Sequence, residues 1–248
     1  MGNHVMNTFD VPDFVTIPDT HFLMGTPESD LSRLAKAYGG TRESYREESP
    51  QHTVHLASYA ISKTPITVAA YRYFVQAGGT APAQFERQIS QPDLPVVNIT
   101  WIMARAYCTW LSGVTGHAYR LPTEAEWECA ARGVDGRQYP WGDTFDIAHA
   151  TTRESGVGLT PVGSYPCGAS YWGLLDMAGS VWEWTESLDL LYPYVANDGR
   201  NDETAPGRRV IRGGCYVNPQ GYARCACRFR MAPDMTNPFL GFRIATQN

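Results

Sequence analysis

Three of the chain's six cysteines fall in the stretch Arg212 to Arg230, RGGCYVNPQGYARCACRFR. Thiols gathered in this way could form a redox pair, a soft-metal site or a nucleophile. Spacing argues against a shared site for the later two. Cys225 and Cys227 stand two apart in a segment that reads as extended, so their side chains point to opposite faces. Nor is the interval the C-x-x-C of zinc and redox motifs. Cys108 lies on the apolar face of a predicted helix, and Cys108, Cys129, Cys225 and Cys227 are expected to be small buried hydrophobes. Cys215, directly after Gly213 and Gly214, stays open as a functional thiol. The same part of the chain concentrates arginine: Arg208, Arg209, Arg212, Arg224, Arg228, Arg230 and Arg243. Such a cluster either receives a carboxylate or phosphate ligand or pairs with buried acids, for which Glu126 and Glu183 are candidates. The six histidines are scattered, and there is no P-loop, dinucleotide fingerprint, nucleophile elbow or H-E-x-x-H.

Few segments have the periodicity of regular structure. TVAAYRYFVQAGG, from Thr67, reads as a helix capped by Thr67, with Tyr71, Phe74 and Val75 on one face and the glycine pair as its stop. TWIMARAYCTWLSGVTG, from Thr100, is a second, with Ile102, Ala106 and Trp110 beside Tyr107, Leu111 and Val114 in a broad apolar stripe. LPTEAEWECAARG carries a capping box, Thr123 with Glu126, and Gly133 ends the helix. Strands are predicted in HTVHLASYAIS, RVIRGG and LGFRIA. Helices early and short strands late predict an α+β fold, and the absence of repeats or a low-complexity linker predicts a single domain over residues 1–248.

Composition narrows the function classes. Apolar residues make up 43% and charged residues 18%, a globular balance rather than a disordered one. A net charge of −5 argues against nucleic acid as a partner. No apolar run approaches the ~20 residues of a membrane span, and MGNHVMNTFDVPDF lacks the basic and apolar regions of a secretory signal. The expected location is cytoplasmic, with no membrane partner.

An ordered series of blocks then covers nearly the whole chain: FLMGT, SPQHTVHLASYAISKTPITVAAYRYF, PVVNITW, AYCTWLSGVTGHAYRLPTEAEWECAARG, YPWGD, TPVGSYP, WGLLDMAGSVWEWTES, VIRGG and LGFRIA. Together they resemble the formylglycine-generating-enzyme (sulfatase-modifying factor) family. The resemblance implies an α+β domain of low regular secondary structure on a C-type-lectin-like core. It leaves function open, because such domains serve as copper-dependent oxidases that make formylglycine, as parts of ergothioneine-pathway sulfoxide synthases, as pyoverdine-tailoring proteins and as retroelement-diversified ligand-binding proteins.

Against that family the chain departs where the chemistry sits. The two copper(I) thiolates of the oxidases correspond to Asn218 and Gln220, so standard formylglycine generation is not expected. Cys215 takes the place of the family's active-site serine, which makes it the candidate catalytic thiol, as ligand or nucleophile, if Arg212 lowers its pKa. Cys225 matches a position that is disulfide-bonded in some relatives; the usual partner position is Ala131, with Cys129 close by. The resemblance also implies a structural calcium ion in LLDMAGSVWEW, held by the side chains of Asp176 and Glu183 and the carbonyls of Gly179 and Val181, a hard-oxygen set around a glycine turn. A second calcium site, around His149, Glu154 and Ser155, matches the family less well. The iron-binding histidines of the sulfoxide synthases come from a domain outside this chain, so any redox metal is unknown.

Two functions remain. One is oxygen-dependent oxidative tailoring of a thiol, peptide or small molecule, in a pocket beside Cys215 with Arg212, Tyr216, Asn218, Trp182 and Trp184. The other is non-catalytic binding of a small-molecule, peptide or protein ligand on the same surface. Tyr216, Tyr222, Arg224, Phe229, Asn237 and Phe239 would then form the Tyr- and Asn-rich contact face.

Overall fold

The computed structural model describes residues 11–247; residues 1–10, which hold most of the stretch read for a leader, and Asn248 lie outside that range. The chain runs through β1 (Phe14–Ile17), β2 (Thr20–Met24), α1 (Leu31–Tyr38), β3 (His52–Leu56), β4 (Tyr59–Ser62), α2 (Val68–Gln76), α3 (Phe85–Gln88) and α4 (Trp101–Thr115). It continues with β5 (Tyr119–Arg120), α5 (Glu124–Arg132), β6 (Trp182–Leu188), β7 (Arg209–Arg212), β8 (Arg228–Met231), β9 (Leu240–Phe242) and β10 (Ala245–Gln247). Helix accounts for 29% and strand for 20%, so turns make up about half of the chain, as its glycines and prolines imply.

The caps expected at Thr67 and at Thr123 with Glu126 form, and Thr100 caps α4 in the same way. Thr67 Oγ1 accepts the Ala70 N–H and Thr100 Oγ1 the Met103 N–H, each at 3.1 Å. In α5 the capping box closes both ways: Glu126 N–H donates to Thr123 Oγ1 at 3.2 Å, and Thr123 N–H to Glu126 Oε2 at 2.8 Å. One face is corrected. Helix α4 buries Trp101, Ala104, Tyr107, Cys108 and Leu111, while Ile102 and Ala106 face solvent. Apolar residues surround most of this helix, so only its packing against α2 and the sheet selects the buried side.

Strands β1, β4, β10 and β5 form one antiparallel sheet, β2 and β3 a hairpin, and β8, β7, β6 and β9 a second sheet in which β6 and β9 run parallel. Alternation on the second sheet determines what each face does. Trp182 and Trp184 share one face of β6, and Ile211 is paired with both Trp184 and Phe229 across the neighbouring strands. That face meets the core under α2 and α4, where Trp184, Ile211, Leu240 and Phe242 are buried. The opposite face carries Glu183, Arg212 and Arg228 and lies against α5.

Those charges are enclosed by the helix. Arg212 Nη2 donates to Glu124 Oε1 and Glu128 Oε2, each at 2.7 Å, while its Nη1 donates to the carbonyls of Cys225 and Cys227. Arg228 Nε holds Glu124 at 2.7 Å, and Arg224 grips Glu48 with two bonds of 2.8 Å. All of these side chains are buried. Arg212, Arg224, Arg228 and Arg243 thus pair with internal acids, whereas Arg209 donates only to backbone carbonyls, and the partners differ from expectation. Glu126 pairs with Arg120, and only Glu183 was placed correctly, with Arg243. Among the described residues no helix is long and apolar enough to cross a membrane.

Candidate functional site

The face that carries Trp182 runs beyond the edge of the helical core, and there it forms the floor of an open cavity of about 500 Å³. Alternation again explains the lining: Trp182, Ile211, Phe229 and Met231 all project to this side. Tyr222, from the loop after β7, and Asn237 and Phe239, before β9, close the walls. Trp182 stands edge-on to Tyr222, with ring centroids 6.3 Å apart, and is tilted against Phe229 at 6.1 Å. Val217, Tyr222, Phe229 and Met235 leave large apolar surfaces exposed in this neighbourhood. A second cavity, about 390 Å³, adjoins the first across Tyr222, Phe229 and Arg230; Tyr38, Tyr45 and Arg224 line it.

Below the floor, the sharp turn after β7 positions Cys215. Gly213 and Gly214 both have positive φ, and a Cβ on Gly214 would lie 2.8 Å from the Tyr222 carbonyl oxygen, so only glycine fits. Cys215 is buried. Its Sγ donates to Asn218 Oδ1 at 2.9 Å, and the Trp182 indole N–H donates to the same oxygen at 2.8 Å.

Of the residues expected in the pocket, Trp182, Asn218, Tyr222, Phe229, Asn237 and Phe239 are brought together. Four others are not. Trp184 lies in the core and donates its indole N–H to the Ile99 carbonyl. Arg212 faces α5. Arg224 is held by Glu48 beside the second cavity. Tyr216 is half-buried, its backbone N–H bonded to the Ser180 carbonyl, and lies outside the lining. Met231 and Met235 line the cavity and escaped the sequence reading, while Arg208 and Arg230 reach it from the arginine cluster. The alternation of β8, with Phe229 and Met231 two apart, was the signal for Met231.

The activation expected of Cys215 is not supplied by Arg212. Burial pushes the thiol up to about 11, and Arg212, the cation expected to lower it, spends its donors on the opposite face of the sheet. At neutral pH the group is a thiol that donates a hydrogen bond. The other cysteines read as packing are buried: Cys108, Cys129, Cys225 and Cys227 are free, and burial raises each, the last three to about 12. With Asn218 in the cavity wall and one thiol beneath it, the residues present do not fit a two-thiolate copper site. Among the described residues no group of three or more His, Cys, Asp and Glu is arranged to hold a metal ion.

The calcium set expected in LLDMAGSVWEW needs only two carboxylates, and the loop between them is tightly turned. Asp176, Gly179 and Ser180 all have positive φ, and a Cβ on Gly179 would lie 2.1 Å from the Thr151 carbonyl oxygen. Glu183 is paired with Arg243 at 2.6 Å and accepts the Trp127 indole N–H at 2.7 Å. Asp176 accepts one N–H, from Gly163 at 2.7 Å, and makes no ion pair. Burial raises its pKa and Glu183 adds to the rise, beyond the opposing effects of Gly163 and Arg243. Arg243 holds both oxygens of Glu183, so Asp176 stands beside that pair as a buried carboxylate with no ion pair of its own among the described residues. A hard cation would offset the charge of Asp176. At the second expected site, Glu154 instead accepts the Gln220 N–H.

Comparison with known proteins follows the same lines. The chain matches the sulfatase-modifying factor enzyme 1-like domain over residues 3–248. It is 32% identical to the formylglycine-generating enzyme of Streptomyces coelicolor over 80% of this chain and 81% of that protein. The solved structure of PvdO from Pseudomonas aeruginosa superposes with a TM-score of 0.74 at 27% identity, covering 96% of this chain and 95% of the other. A serine/threonine-protein kinase, pkn1 of Chlamydia caviae, is 32% identical over 83% of this chain, which spans only 36% of that protein's length.

Proposed function

From a chain that belongs to the sulfatase-modifying factor family, we propose a ligand-binding protein whose groove over Trp182 takes a small molecule or peptide with a flat apolar part. The observation that carries this reading is the cavity of about 500 Å³ walled by Trp182, Tyr222, Phe229 and Met231, within the size range of small-molecule sites. Rigid aromatic walls bind with little loss of side-chain freedom. Phe229 is half exposed on the edge strand β8, so Phe229→Ala removes a wall without opening the core. Aromatic fragments that bind the wild-type chain in ligand-observed NMR should lose at least about tenfold in affinity to this variant, the scale of an interface hot spot. Fragments that bind both proteins equally would place binding elsewhere and end the reading.

Oxygen-dependent tailoring of the same ligand is the second reading, favoured by the likeness to a formylglycine-generating enzyme over four fifths of both chains. Its check is oxygen uptake by the protein loaded anaerobically with copper(I) or iron(II), in the presence of a ligand identified as above. Ligand-dependent uptake that disappears in Cys215→Ser would restore a catalytic thiol; uptake at the rate of free metal would remove this reading.

We also propose a structural calcium ion held by Asp176, Glu183 and the carbonyls of Gly179 and Val181, whose chemistry would be charge neutralisation of a strained loop. Saturation at roughly a hundred times Kd adds about 2.7 kcal/mol, or about 5–10 °C in Tm for a chain of this size. Thermal unfolding in calcium and in EGTA should therefore separate, and Asp176→Asn should close the gap. Superimposed curves would discard the ion.

A further inference from the structure

The groove's polar groups point to the kind of ligand it accepts, an inference that rests on the groove being the binding site. Asn218 holds the information. The Trp182 indole nitrogen can only donate, so the amide atom facing it at 2.8 Å must be the oxygen. Cys215 donates to that same oxygen at 2.9 Å. Two donors thus fix the amide in one orientation and leave Nδ2 as the group available to the cavity, without a partner among the described residues. Its two N–H bonds ask for an oxygen acceptor.

Charge on the wall agrees. The cavity is lined by two guanidinium side chains, Arg208 and Arg230, and by no carboxylate. Their partners stand behind the wall: Asp189 lies 3.2 Å from Arg208 and 3.1 Å from Arg230, and also 3.8 Å from Arg228, while Glu47 takes the remaining side of Arg230. Arg230 has Glu47 and Arg228 has Glu124 besides the shared aspartate, so Arg208, whose one carboxylate partner is Asp189, is the guanidinium on the wall most open to an anion. Arg208 is 59% exposed at its side chain and can turn to a ligand without breaking a buried pair.

We infer that the groove selects an aromatic carboxylate, its ring against Trp182 and Phe229 and its oxygens toward Asn218 Nδ2 and the arginines, and that Cys215 is a positioning residue acting through Asn218. The thiol keeps the amide from rotating and does not touch the ligand. This explains a cysteine at a buried polar spot: its hydrogen has an acceptor, and its sulfur fills the apolar space beside Trp182.

Three probes with one ring test the inference on the full chain by isothermal titration calorimetry: naphthylacetate, naphthylacetamide and naphthylmethylamine. A charge-assisted bond should make naphthylacetate about tenfold tighter than the amide, with the amine weakest. Asn218→Asp, which replaces the donor by a negative charge, should cost naphthylacetate at least about tenfold and leave naphthylmethylamine no weaker. Cys215→Ala should weaken naphthylacetate about threefold, the loss of one modest hydrogen bond, whereas Cys215→Ser, whose hydroxyl can donate to the same oxygen, should restore it. Tm for each variant reports folding separately. If all three probes bind alike, yet depend on Phe229, the groove stands and the carboxylate preference falls. Cys215→Ser binding as poorly as Cys215→Ala would overturn the positioning role. If no probe responds to Phe229→Ala, the groove itself is wrong.

Discussion

Arg212→Met should lower the free energy of unfolding by about 3–5 kcal/mol, the scale observed when one member of a buried ion network is removed. The side chain has no solvent exposure, so water cannot replace it. Burial opposes its charge, but Tyr192, Glu124 and Glu128 outweigh that and hold its pKa above the usual arginine value. Methionine fills comparable volume, so the loss is mainly electrostatic. Glu124 would keep Arg228 at 2.7 Å and Glu128 would keep Arg132 at 3.1 Å, but each loses its shortest bond to Arg212. The carbonyls of Cys225 and Cys227 lose a donor as well. Urea unfolding measures the change, and a loss under about 1 kcal/mol would show that the network is locally redundant. Adding Glu128→Gln separates charge from packing. The double variant should be less destabilised than the sum of the singles by about 1–3 kcal/mol, because the carboxylate that has lost Arg212 in the first is neutral in the second.

The same residue shows what the sequence could and could not reveal. Helices α2 and α5 were legible because their caps are local, Thr67 and Thr123 each bonding within four residues, and α4 was legible from its apolar stripe. The second sheet was legible in part: strands at β7 and β9 were predicted, whereas β6 and β8 were not, so Trp182 and Phe229 were expected at the groove without the alternation that puts them there. Arg212 was not legible, because its neighbours Glu124 and Glu128 lie 88 and 84 residues away. Its type suits a ligand-binding arginine equally well, and only α5 lying across the sheet decides between them. Arg224 was misread for the same reason, its carboxylate being 176 residues distant. Cys215 is the mixed case. Its position under a glycine turn was readable, whereas its thiol state depends on burial and on Arg212 facing away. The family resemblance supplied the fold from end to end, but the departures at Asn218 and Cys215 had to be read atom by atom.

Unfolding at different pH values should show greatest stability near pH 5, with a steep fall below about pH 4 and a shallow one toward neutrality, since each proton of difference between folded and unfolded states is worth about 1.4 kcal/mol per pH unit. The acid limb belongs to Glu124 and Glu48. Burial alone would raise both, but Arg228 and Arg212 at Glu124, and Arg224 at Glu48, outweigh it and hold each below the usual 4.5. Depressed carboxylates contribute stability that is fully present above 4.5 and lost as the pH falls through their folded values. The neutral limb belongs to Glu186, whose pKa burial raises to about 6 against the opposing pull of Arg120, 3.8 Å away. Here the folded state retains a proton that the unfolded chain has released, so stability drops as the pH rises from 4.5 to about 6 and then levels off. A shift of that size corresponds to about 2 kcal/mol. Asp176, raised by burial, acts with the same sign as the pH rises above its usual 3.8. Glu186→Gln should flatten the neutral limb while leaving the acid limb unchanged, because Glu124 and Glu48 keep their arginines. A flat profile between pH 5 and 7 in the wild-type chain would mean that Glu186 is ionised in the fold, with Arg120 drawn closer than 3.8 Å.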